Sequence, residues 1–296
     1  MIRIAFIMLC HTDPEQINLL TRKLEEFRAA DIYIHADLNH PEIRNGIRKG
    51  ERIFLLPEEE SFRIEWGGIS MVQATLQLIR KVRETGKAYD YLWLISGQDY
   101  PIVPTEETER RLEENRGMNY LNTLRPGEER YSFYRKLCEV AYPQWINQEN
   151  IPVKIFKRLY KTVTGGETHT FGIFIRKKPF DFEFVFGSQW WTLTREAAFA
   201  ILQFSDDHPE VLKYCEKMII PDESFFQTVF MQGAYSGKLR DGLTYAPMER
   251  SSRHADTLRE PDYEAIRKAG EKYCFARKFD SGSRALIRRI EKERGR

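Results

Sequence analysis

Residues 2–36 read IRIAFIMLCHTDPEQINLLTRKLEEFRAADIYIHA, and three patterns succeed one another within them. Residues 2–9 are apolar except for Arg3, the pattern of a strand covered on both faces, as in a parallel sheet. Asp13-Pro14-Glu15-Gln16 then supplies a capping side chain, a first-turn proline and a capping partner. Ile17, Leu20, Leu24 and Phe27 follow at helical spacing, so an amphipathic helix is expected. Residues 31–36 form a second apolar run. Strand, helix, strand is the beginning of an open α/β sheet, in which ligands gather beyond the carboxyl ends of the strands.

Working outward, residues 52–56 predict a third strand. Trp66-Gly67-Gly68 predicts a turn before a helix that carries Ile69, Val72, Leu76, Ile79 and Val82 on one face and stops at Gly86. Residues 91–95 form another buried strand, which delivers Ser96-Gly97-Gln98-Asp99 at its carboxyl end. Thr105 opens a helix whose Glu and Arg run, 106–114, is a solvated face. Periodicity weakens from 120 to 186, and 125–130 reads as a loop. Within this section, 152–163 sets Ile155, Phe156, Leu159, Tyr160 and Val163 in one stripe, with Lys154, Lys157, Arg158 and Lys161 on the other face. The first expectation for it is a surface helix packed on the sheet; an anionic membrane or an acceptor groove are the alternatives. No repeat or linker interrupts the chain. One domain, 1–296, is expected, with a nucleotide-binding half (1–118) and an acceptor-binding, catalytic half (119–296).

Composition narrows the class. A chain of 296 residues with 42% hydrophobic content can bury a substantial core. A net charge of +2, with 44 acids against 46 lysines and arginines and no recognised motif, argues against a nucleic-acid partner. No apolar run reaches 18 residues, so no membrane span is expected. The first eleven residues lack a long apolar core and a small-residue cleavage site, and read as a strand rather than a signal peptide. Four scattered cysteines without a CxxC pair suggest a reducing cytoplasm, with Cys10 and Cys274 as small core residues. The basic tail from Arg284 onward reads as a solvated terminal helix, with contact to an anionic membrane as the alternative.

Two further stretches carry chemistry: FGSQWWTLTRE (186–196) and PDESFFQTVF (221–230). The first runs from a glycine-opened turn into paired indoles and then to Thr194, a helix cap. Trp190 and Trp191 can stack on a sugar ring or fill a core. In the second, Pro221 and Asp222 are ordinary helix-start signals, and Asp222 can be the N-cap. Glu223, beside an aromatic wall, is placed as a base; its bland alternative is a first-turn acid favouring the helix dipole.

YIHAD (33–37), SGQDYP (96–101), GSQWWTLTRE (187–196), PDESFFQTV (221–229) and FARKFD (275–280), in this order along nearly the whole chain, resemble the core-2/I-branching N-acetylglucosaminyltransferase family, which also includes peptide O-xylosyltransferases. The resemblance implies a nucleotide-sugar transferase fold of the GT-A type, with a Rossmann-like, mostly parallel sheet flanked by helices. It implies inverting transfer of GlcNAc or xylose from a UDP-sugar to a hydroxyl of a glycan or lipid-linked glycan. Glu223 would be the catalytic base. Lys278 and Arg253 (Arg250 the alternative) would neutralise the diphosphate. Asp37 would hold uridine, with Leu9 to His11 as the other wall of that pocket and His35 structural; Asp99 would orient the donor sugar or cap a turn. Arg130, Ser188, Gln189, Trp190 and Trp191 fall on the acceptor side. There Gly127 replaces a lysine of the pattern and Asn122 an acid, so a mucin-type acceptor is not implied. No metal or other cofactor is expected, since no Asp-x-Asp follows a core strand. The family's animal members are anchored in the secretory pathway, whereas this chain reads as a cytoplasmic form, with contact to the membrane surface left open. The competing readings are a metal-dependent transferase on the same scaffold and a non-catalytic nucleotide- or glycan-binding protein.

Overall fold

The structure is a computed structural model that describes residues 1–139, 150–164, 176–247 and 255–294. In chain order its elements are β1 (Ile4–Cys10), α1 (Pro14–Leu24), β2 (Ala30–Ala36), α2 (Pro41–Gly46), β3 (Ile53–Leu55), α3 (Ile69–Glu84), β4 (Tyr91–Ser96), β5 (Asp99–Pro101), α4 (Thr105–Glu114) and β6 (Asn119–Leu121). After these come α5 (Tyr131–Glu139), α6 (Ile151–Thr164), β7 (Trp191–Thr194), α7 (Arg195–Asp207), α8 (Pro209–Cys215), α9 (Phe225–Gln232), β8 (Leu239–Arg240), β9 (Thr244–Tyr245), α10 (Tyr263–Ala269), β10 (Phe275–Arg277) and α11 (Arg284–Arg294).

Seven strands form one sheet in the order β3-β2-β1-β4-β7-β6-β8. The first four are parallel, as their apolar runs predict; β7 enters antiparallel to both β4 and β6, and β8 is parallel to β6. Side chains on β1 alternate between two cores. Phe6 and Met8 join α1 and α11 on one face, and Ala5 and Ile7 join α3, α7 and α9 on the other. Both cores draw residues from either side of residue 118. The expected Rossmann-like, mostly parallel sheet flanked by helices is therefore present. A second, three-stranded sheet, β5-β10-β9, ties the C-terminal part of the chain to the end of β4.

Local signals behave as read at most helix ends. Asp13 caps α1, its side chain accepting from Gln16 N at 3.0 Å, and Thr194 caps α7 through Ala197 N. Asp222 does not cap: Pro221–Glu223 is a separate 3-10 turn, and α9 begins only at Phe225. The four cysteines are buried and unpaired. In α11, Arg284, Arg289 and Arg294 are paired with Glu15, Glu264 and Glu291, so much of the tail's charge is spent within the fold. The expectation for 152–163 is corrected. Its helix is formed, but Ile155, Leu159 and Val163 point to solvent, and packing is left to Val153 with partial burial of Phe156 and Tyr160. Among the described residues no helix is long and apolar enough to cross a membrane.

Candidate active site

A cleft of about 430 Å³ opens beyond the carboxyl ends of β1 and β4, within the size range of small-molecule sites. Leu9, Cys10 and His11 line it at the end of β1, and Ser96 and Gln98 at the end of β4 and in the turn after it. Opposite them stand Ser188, Gln189 and Trp190, then Asp222 and Glu223, then Arg277 and Lys278.

Sheet register places the cations. β10 pairs with β5 so that Arg277 lies directly across from Asp99. Asp99 is fully buried, and its Oδ1 is 3.6 Å from the Arg277 Nε while its Oδ2 accepts from Ser96 N at 3.0 Å. The Arg277 guanidinium also stacks 4.0 Å from the centre of the Trp190 ring, a cation–π contact away from bulk water. A carboxylate on one side and an indole on the other thus fix a buried cation in the cleft wall. Burial pushes the Asp99 carboxyl up to about 6, opposed chiefly by Arg277. Lys278, the next residue, is half-buried; burial and then Arg277 pull its pKa down. Its backbone is pinned by Lys278 N donating to Asp256 O and Leu258 N donating to Lys278 O.

The turn that carries Glu223 is held just as firmly. Gly187 N donates to Glu223 O at 2.9 Å, Glu223 N to Ile220 O at 3.1 Å, and Ile220 N to Gly67 O at 2.9 Å. Position 187 must be glycine, because a Cβ there would lie 1.8 Å from the Asn122 carbonyl oxygen. Ile220 has a φ of 49°, a left-handed conformation costly for a β-branched residue, so strain of about 1–3 kcal/mol sits three residues before Glu223. Burial, followed by the neighbouring Asp222, raises the Glu223 carboxyl to about 8, against the pull of Arg130 and Arg277. Asp222 is itself buried and is raised by burial to about 7, with its Oδ1 unpartnered among the described residues. Two adjacent carboxyls held partly protonated near neutral pH are characteristic of sites that handle protons.

The remaining expected residues sort by position. Leu9, His11, Ser188, Gln189, Trp190, Glu223 and Lys278 line the cleft. Asp99 lies behind the lining, against Arg277 and the backbone of Ser96. Asp37 is buried at the end of β2, where its Oδ1 accepts from Asn39 N and Ile64 N, so part of its bonding capacity holds the loop at Ile64. Arg130 is exposed outside the cleft lining; it stacks on Tyr134 and acts on Glu223 through space. Trp191, grouped with the acceptor-binding residues from the sequence, is a core residue instead, buried against Phe226. Asn122 serves the fold, accepting from Gly242 N. His35 is buried and neutral in character, its Nε2 accepting from Phe62 N while burial lowers its pKa to about 4. Arg253 and Arg250 lie outside the described residues. Arg277, to which the motifs assign no role, lines the cleft beside Lys278. Nothing local marks it, since Phe275, Ala276 and Arg277 are all buried and the short strand β10 has no solvent face to set an alternation.

The fold and cleft define an α/β protein that presents fixed cations and a raised carboxyl at the carboxyl ends of its parallel strands. A family model described as Core-2/I-Branching enzyme matches residues 4–272, and the chain belongs to that family. It is 25% identical over 236 residues to a mouse beta-1,3-galactosyl-O-glycosyl-glycoprotein beta-1,6-N-acetylglucosaminyltransferase 4, covering 76% of this chain and 46% of that protein. It is 25% identical over 246 residues to rat xylosyltransferase 1, covering 81% of this chain and 27% of that protein. The chain thus spans less than half the length of these two relatives.

Proposed function

We propose that this chain is an inverting glycosyltransferase that moves GlcNAc or xylose from a UDP-sugar to a hydroxyl of a glycan or lipid-linked glycan, without a metal ion. The observation that carries the reading is the meeting, in one cleft, of Glu223 near a pKa of about 8 with the Arg277–Lys278 pair. In the reaction the acceptor oxygen attacks the anomeric carbon and forms the new C–O bond. The bond from that carbon to the diphosphate oxygen breaks, its electron pair leaves with UDP, and the acceptor proton passes to Glu223. Attack from the face opposite UDP gives inversion.

Charge building on the departing diphosphate is met by Lys278, with Arg253 as its expected partner and Arg277 as a further fixed cation. Such preorganised charges do the electrostatic work that a divalent ion does elsewhere. The reading without a metal rests on Arg277 and Lys278 in the cleft wall, fixed cations that can neutralise the diphosphate in place of a divalent ion. Asp37, with Leu9 and His11, is assigned to uridine. Ser188, Gln189 and Trp190 are assigned to the acceptor, with Arg130 at the rim. A cytoplasmic site of action is part of the proposal, supported by the four unpaired thiols.

The test is UDP release from a panel of UDP-sugars with EDTA present, comparing the native chain with Glu223→Gln. Turnover in EDTA that the variant loses, while still binding UDP, is the expected result. Turnover that stops in EDTA and returns with manganese would favour a metal-dependent transferase. Full turnover by Glu223→Gln would remove Glu223 from the chemistry.

A further inference from the structure

We propose that the outward face of α6 docks on the surface of an anionic phospholipid bilayer. Ile151, Ile155, Leu159 and Val163 are 74%, 55%, 60% and 82% exposed. Spaced four apart, they form one continuous ridge roughly 18 Å long. Four of the seven large apolar side chains exposed among the described residues stand on this ridge, so it is a concentrated patch and not surface scatter. The opposite side of the helix anchors it: Val153 is buried, and Phe156 and Tyr160, half-buried, stack with ring centres 6.2 Å apart.

Charge selects the occupant. Lys154 and Arg158 are exposed immediately beside Ile155 and Leu159, Lys157 and Lys161 follow on the same flank, and no acidic residue occurs between 151 and 164. An apolar ridge bordered by cations matches a helix lying in the headgroup plane, with apolar side chains in the acyl boundary and lysines and arginines at the phosphates. A second copy is a poorer fit, since apposing two such faces brings four cations against four. The inference does not depend on the transferase reading.

Sedimentation of the full chain with vesicles tests it. Binding to phosphatidylcholine vesicles containing phosphatidylglycerol should exceed binding to phosphatidylcholine alone by roughly tenfold or more, and fall with added salt. Ile155→Asp/Leu159→Asp and Lys154→Glu/Arg158→Glu should each reduce it to background; because all four positions are exposed, circular dichroism should remain that of the native chain. Equal sedimentation with both vesicle types, or retention by either variant, overturns the proposal. So does a dimer in solution that Ile155→Asp/Leu159→Asp converts to monomer, because the ridge would then belong to a contact between copies.

Discussion

Glu223 is held between opposing influences, burial and Asp222 favouring the protonated form and Arg130 and Arg277 the ionised one. With its pKa raised to about 8, the base form grows as pH climbs from 6 to 8, so kcat/KM should rise across that interval and level off above it. A profile flat from pH 6 to 9 would show that some other group takes the proton. Glu223→Gln should lower kcat by about 10²- to 10⁴-fold, the usual range for a positioned general base, and leave UDP affinity near the native value in a calorimetric titration. Lys278→Ala should act on the other partner, weakening UDP itself by about tenfold to a hundredfold, as loss of a charged hydrogen bond does. The two indoles separate cleanly. Trp191→Ala empties a core site and should cost about 3–5 kcal/mol in chemical denaturation. Trp190→Ala should spare most of that stability and instead lower transfer, because it removes one wall of the Arg277 clamp.

Among the elements, the loop before β7 ties the proposed acceptor side to the proposed base. Gly187 N holds Glu223 O, and Gly187 has no room for a side chain beside Asn122. Gly187→Ala should therefore lower the melting temperature and reduce kcat together; an alanine variant with native kcat would break the link between this turn and Glu223. α1, α3 and the parallel strands were legible because each writes its own period: β1 as an unbroken apolar run, α1 as a capped amphipathic repeat. β7 was not legible. Trp191-Thr192-Leu193-Thr194 is only four residues long and runs straight into the cap of α7, so its brief apolar–polar alternation reads as the approach to a helix. α6 was legible as a helix but its orientation was not. A stripe of apolar residues states that a face exists, whereas what covers that face depends on the rest of the fold.

Across the whole molecule, the buried carboxyls of the cleft set how stability responds to pH. Asp222 and Glu223 are raised to about 7 and about 8, so each binds its proton more tightly folded than unfolded. Their contribution is complete below the unfolded carboxyl range and is lost as pH passes through those values. Between pH 6.5 and 8.5 the melting temperature should fall by roughly 5 °C, and Asp222→Asn should remove about a third of that slope. An Asp222→Asn curve parallel to the native one would mean that the carboxyl titrates where water reaches it. At this scale the proposed division of roles at residue 118 is one of function within a single packed body, since both cores and the cleft itself are built from both halves.

The sequence by itself determined the α/β class, the parallel strands β1 to β4, the family and the stretches that line the cleft, because hydrophobic period and short motifs are local properties of the chain. Tertiary structure alone decided that Arg277 is a clamped cation rather than a surface one, that Trp191 is core while Trp190 faces the ligand space, that Asp222 is a buried acid and not a cap, and that the apolar ridge of α6 looks outward. Each of those outcomes depends on what lies opposite a side chain: Asp99 across a sheet register, Phe226 across a core, solvent across a helix. Partners brought together from 178 positions apart in the sequence, as Asp99 and Arg277 are, leave no trace in the spacing of either one's neighbours.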